Sequence, residues 1–119
     1  MEIHINDDKL IGQIKAEFTK HFPFLKLEFF LHAHLDGLGS PKEDMIVDDL
    51  KLGEIRTIHN EGDIVINANM EVGHLEQSFE SKYGMHVQVF RKSGDIWLET
   101  SATDSWTLID QNSTGSEMS

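Results

Sequence analysis

Apolar and polar side chains alternate at Ile3 and Ile5, and again at Ile64 and Ile66, the period of a strand with one buried face. An apolar stripe at helical spacing follows each pair: Leu10, Ile11, Ile14, Phe18 and Phe22 in the first case, Val72, Leu75, Phe79 and Tyr83 in the second. Both stripes predict helices. Asn6-Asp7-Asp8 and Asn69 stand ahead of them as candidate N-caps, because short polar side chains accept from the first unbonded backbone N–H groups. Pro23 stops the first helix by breaking the hydrogen-bond ladder, and Gly84 stops the second by tolerating a left-handed cap. Alternation then resumes in Leu25-Lys26-Leu27-Glu28-Phe29 and in Val87-Gln88-Val89.

These elements recur because the chain resembles itself. A displacement of 61 residues superposes Ile3-His4-Ile5-Asn6 on Ile64-Val65-Ile66-Asn67, Gly12 on Gly73 and Phe18 on Phe79. After a slip of one residue, Leu27-Glu28-Phe29-Phe30 meets Val87-Gln88-Val89-Phe90. Asp104-Ser105-Trp106-Thr107-Leu108 further resembles Asp48-Asp49-Leu50-Lys51-Leu52, so each unit is expected to close with a short helix. Glycine inside a helix costs about 1 kcal/mol against alanine, yet Gly12 and Gly73 fall on the same turn of both. Three readings stay open: close helix packing across a pseudo-twofold axis, approach of a ligand, or a relic of duplication.

The second unit continues into a hairpin, Val87 to Lys92 returning as Asp95 to Thr100 around Ser93-Gly94, which sets Phe90 opposite Trp97. Between the units, Ser40, Pro41 and Glu43 form a capping-box start for a short helical turn. Leu52, Ile55 and Ile58 suggest another helical face, and Asn60 to Asp63 a turn. From Gln111 to Ser119 the chain is Ser/Gly/Asn-rich without apolar periodicity, which predicts a frayed tail. The expected fold is a single α+β domain over residues 1–110, with pseudo-repeats of about 1–60 and 61–110. Its two duplicated strand-helix-strand units would pack as one mainly antiparallel sheet with helices on one face, ferredoxin-like or related.

Composition then narrows the roles open to such a domain. The 119 residues include no cysteine, which excludes disulfides, thiolate zinc sites and a Cys nucleophile. Ten basic and 21 acidic side chains give a net charge of -11, the wrong sign for a polyphosphate or an anionic membrane. The acidity is spread along the chain: residues 1–60 hold seven bases and eleven acids, residues 61–119 three and ten. The N-terminus has neither the basic nor the apolar region of a secretory signal, and no apolar run approaches about 18 residues. A cytoplasmic protein is the expectation.

Two constellations carry candidate chemistry. His32, His34 and Asp36 alternate along one segment and could project two imidazoles and a carboxylate toward a divalent metal, as in the His-x-His-x-Asp motif of several metal-dependent hydrolases. Phe30, Phe90 and Trp97 would lie together on the sheet face turned away from the helices, an aromatic strip suited to a protein partner or a homodimer contact unless another segment covers it. No phosphate loop, nucleophile elbow or kinase signature is present. The residues thus point to a non-enzymatic protein-interaction or regulatory module without a cofactor. A metal site and a small-ligand pocket near Gly12 and Gly73 are the alternatives.

The stretch Val87 to Thr100, followed by Thr103-Asp104 and Trp106-Thr107-Leu108, resembles the C-terminal half of a family of small, acidic, uncharacterised bacterial proteins. Phe22-Pro23-Phe24-Leu25-Lys26-Leu27 and Glu61-Gly62 fit it too. The resemblance implies a bacterial source and assigns no catalytic or binding residue.

Overall fold

In the computed structural model, which describes residues 1–32 and 42–119, both strand-helix-strand units form. The first comprises β1 (Glu2–Ile5), α1 (Ile11–His21) and β2 (Leu25–Phe30), closed by the short helix α2 (Leu52–Ile55). The second comprises β3 (Gly62–Val65), α3 (Val72–Tyr83), β4 (His86–Ser93), β5 (Ile96–Glu99) and the closing helix α4 (Leu108–Met118). The expected capping-box residues Ser40 and Pro41 lie outside the described residues, and a 3-10 turn occupies Lys42–Asp44. The architecture is α+β, and its radius of gyration, 13.3 Å, is that of one packed domain.

The strands do not build the single sheet expected of a ferredoxin-like plan. Instead β1 pairs with β3, and β2, β4 and β5 form a separate antiparallel sheet in that order. In each sheet a strand of one unit meets its counterpart in the other: Ile3 stands opposite Ile64, and Glu28 opposite Gln88. These are the residues that the sequence displacements equate. A register in which equivalents face each other is what a twofold relation between the units produces. The core is shared accordingly, with Ile3, Ile14, Phe18 and Phe29 from one unit and Ile64, Leu75, Phe79 and Val89 from the other. The Phe29 and Phe79 rings meet edge to face, their centroids 6.1 Å apart.

The helix starts are capped by backbone rather than by the predicted side chains. Leu10 and Glu71 are the N-cap residues of α1 and α3, and neither accepts a hydrogen bond through its side chain. Asn6 Oδ1 accepts from the N–H groups of Asp8 and Lys9, one turn too early to cap α1. In α1 the N–H of Ile11 donates to the Leu50 carbonyl and that of Gly12 to the Asp48 carbonyl; in return Leu52 and Gly53 of α2 donate to Lys9 and Asp7. The second unit repeats this reciprocal clasp, with Val72 and Gly73 donating to Trp106 and Asp104, and Leu108 and Ile109 donating to Met70 and Ala68. Orphan donors at four helix starts are thereby satisfied within the chain. The clasp accounts for the glycines: a Cβ on Gly12 would lie 3.2 Å from the Cβ of Asp48, and one on Gly53 2.9 Å from that of Asp7. At Gly12 the close approach is helix to loop within a unit, not helix to helix across the twofold, and at Gly73 a Cβ would meet Asp104 at an ordinary 3.5 Å.

Two local expectations are corrected. The hairpin turns at Gly94-Asp95, one residue later than expected, because Ser93 pairs with Ile96. Gly94 has φ 60°, and no non-glycine residue among those described has positive φ, the arrangement of a Gly-first type II′ turn. Lys92 therefore faces Trp97, and Phe90 faces Glu99. The predicted frayed tail is instead most of α4. Thr107 caps that helix through its side chain, Gln111 and Gly115 are buried, and Asn112 Oδ1 accepts from the Phe24 N–H. Polar side chains bonding to specific partners hold it in place of an apolar stripe.

Candidate functional site

The aromatic residues lie on one sheet face, but they do not form a bare strip. Phe30 and Phe90 are 3% and 8% exposed, and Trp97 is half-buried. The alternation of β2 places Lys26 beside Phe90, and its ammonium lies 5.5 Å from the Phe90 ring centroid and 5.1 Å from that of Trp97. Both distances are within cation–π range. Lys26 also contacts Glu28 Oε2 at 3.1 Å. Sequence alternation identified the face, but a lysine between two rings cannot be read from alternation.

The exposed apolar surface lies next to that face, on the hairpin edge. Among the described residues β5 pairs only with β4, and its Ile96 and Leu98 are 58% and 38% exposed. Leu98 stands opposite Arg91, whose guanidinium lies 5.7 Å from the ring centroid of the exposed Trp106. At the hairpin tip the Gly94 N–H donates to the carbonyl of Met118, another exposed apolar residue. These contacts bring Leu98 and Trp106 to Arg91, with Ile96 and Met118 at the hairpin tip. Edge strands of monomeric proteins are commonly guarded by lysine, proline or a bulge. Ile96-Trp97-Leu98-Glu99 contains neither lysine nor proline.

Of the metal candidates, His34 and Asp36 lie outside the described residues. His32 is 75% exposed on its side chain, and its Nδ1 is 3.0 Å from Asp44 Oδ2. Among the described residues no group of three or more His, Asp or Glu side chains is arranged to hold a metal ion.

Two ionic clusters tie the elements together. The ammonium of Lys15 on α1 sits 2.5 Å from Glu28 Oε1 and 2.6 Å from Asp48 Oδ1. Burial would lower the Lys15 pKa, but the bonds to Asp48 and Glu28 outweigh it and hold the pKa above the ordinary 10.5. The buried Arg56 guanidinium donates to Asp7 Oδ1 through Nε and Nη2 and to carbonyls of Asn60 and Tyr83, linking the two units. Asp7 Oδ2 lies 2.9 Å from His59 Nδ1. Desolvation raises the Asp7 pKa, but hydrogen bonds and charge from Arg56 and His59 prevail and leave it below 3.8.

A cavity of about 360 Å³ lies along α3, lined by Gly73, Glu76, Glu80, Ser81, His86 and Asp104 among others. It belongs to the second unit rather than to a space between the units. At Gly12 the loop stands closer, with Asp48 3.2 Å from where a Cβ would lie, against 3.5 Å between Gly73 and Asp104. No family model, curated protein or solved structure matches the chain. Among the described residues, no helix is long and apolar enough to cross a membrane.

Proposed function

We propose that the protein is a non-enzymatic interaction module of the cytoplasm, evolved by duplication of one half, whose partner meets the open edge of β5. The observation that carries this reading is a β5 edge that no described strand covers, bearing exposed Ile96 and Leu98 with exposed Trp106 and Met118 near it. The partner is a second copy of the chain, its β5 lying antiparallel to the first. The same kind of antiparallel pairing joins β1 to β3 and β2 to β4 within one chain. Each copy carries -11, so association strengthens as salt screens the repulsion.

Light scattering over a range of concentrations tests the proposal on wild type, Leu98→Asp and Trp97→Asp. Wild type is expected to dimerise and Leu98→Asp to remain a folded monomer. A monomeric wild type at every concentration and salt level would remove the self-association reading. Loss of folding in Trp97→Asp alone would assign that ring to the core instead of the contact.

A further inference from the structure

The hydrogen-bonding phase of β5 restricts how a second copy can lie along it. Backbone groups alternate sides along an antiparallel strand. In β4 the Lys92 N–H donates to Phe24 on the β2 side, and Val89 accepts from Thr100 on the β5 side. Leu98 stands opposite Arg91 and Ile96 opposite Ser93. The backbone groups of Ile96, Leu98 and Thr100 are therefore engaged with β4, and those of Trp97 and Glu99 face the open edge. Two antiparallel β5 strands bond only where such outward residues face each other. A slip of one residue would set outward groups against inward ones.

Three registers satisfy that phase, and side-chain charge separates them. If Trp97 faces Trp97 of the second copy, Glu99 of each copy comes opposite Asp95 of the other. If Glu99 faces Glu99, two carboxylates meet directly. If Trp97 faces Glu99 in both directions, Leu98 meets Leu98 on the twofold axis. Like charges directly opposite are destabilising, and each copy already carries -11. The third register alone sets no acid against an acid. It also complements charge across the contact. Within one copy Lys26, Phe90 and Glu99 stand side by side across the sheet, and Lys92 faces Trp97. Joined in the third register, each such row runs Lys26, Phe90, Glu99, then Trp97 and Lys92 of the second copy. One carboxylate then lies between lysines of both copies.

Resting on the self-association reading above, we propose that two copies join along β5 in this third register, with Leu98 on the twofold axis. Asp95 and Glu99 are its specificity determinants, because their charges exclude the other two registers. The product is a continuous antiparallel sheet in the order β2-β4-β5 in one copy and β5-β4-β2 in the next. Every outward backbone group of Trp97 and Glu99 is bonded in it. The Leu98 pair occupies a non-hydrogen-bonded site, where Cα atoms stand about 4.5 Å apart, within the span of a disulfide.

Disulfide trapping of the full chain tests the register, since the sequence contains no cysteine to compete. Leu98→Cys alone, Glu99→Cys alone, and an equimolar mixture of Ile96→Cys with Leu98→Cys are oxidised with diamide, and linked dimers are counted by intact mass. All three positions are exposed, so the substitutions leave the core in place. Leu98→Cys links to itself in the third register and Glu99→Cys in the second, while the mixed product forms in the first, where Leu98 faces Ile96. Leu98→Cys is expected to link roughly tenfold faster than either alternative. Asp95→Asn in both members of the mixture is expected to raise the mixed product, and an unchanged yield would overturn the role given to the carboxylates. Faster linking of Glu99→Cys or of the mixed pair would overturn the register. So would a dimer seen by light scattering that none of the cysteines traps. In both cases the dimer itself survives, whereas a monomeric wild type removes the self-association reading and the register together.

Discussion

At the scale of single residues, Lys15 and Arg56 make the sharpest claims. Lys15 bonds Oε1 of a nearly buried Glu28, so Lys15→Met leaves that oxygen without its charged donor while Lys26 still holds Oε2, and should cost about 1.5–3 kcal/mol in denaturant unfolding. Because the folded pKa of Lys15 is raised, its contribution is complete below the ordinary 10.5 and disappears as pH rises through the folded value. Alkaline unfolding of wild type above pH 10.5, with a shallower dependence in Lys15→Met, is the expected result. Asp7 behaves with the opposite sign. Its folded pKa is depressed, so its contribution is present above 3.8 and is lost as pH falls through the lowered value. Acid titration of Asp7→Asn should show a weaker fall in stability below pH 4 than wild type; an identical fall would mean that the Arg56 contact carries no linkage. None of these pairings was legible beforehand, since Asp7 and Arg56 are 49 positions apart and join only after folding.

At the scale of elements, the sequence was informative where a period or a stop residue decides the outcome. The stripes from Ile11 to Phe18 and Val72 to Phe79 are helices with those residues buried, and Gly84 closes α3 with φ 67°. The caps were not legible, because the clasp is made by carbonyls, which every residue has. Gly53 is its sequence trace, matching Gly12 and Gly73 at the second position of a helix. Gly53→Ala should therefore destabilise by about 1–3 kcal/mol, through the 2.9 Å approach to Asp7. Gly73→Ala, whose Cβ would find contacts no closer than 3.5 Å, should cost much less. Thermal melts of the two variants compare them directly, and equal losses would show that the close approach is not what selects glycine. Alternation also found the aromatic face but could not say that Lys26 would insert between Phe90 and Trp97.

At the scale of the whole molecule, two units meet through like strands and share one core. The hairpin of the second unit ends in an edge strand with apolar side chains in solvent. A net charge of -11 weighs against nucleic acid and predicts that self-association responds to salt. The central claim is that the open edge of β5 receives a partner strand. Since the Thr100 N–H donates to the Val89 carbonyl, alternate amides of β5 point inward and those of Trp97 and Glu99 point to the open edge. Residue-resolved hydrogen exchange at dilute and concentrated protein is the most direct measurement. Protection of the Trp97 and Glu99 amides should rise with concentration and be lost in Leu98→Asp, whereas free exchange of both at every concentration would contradict the account.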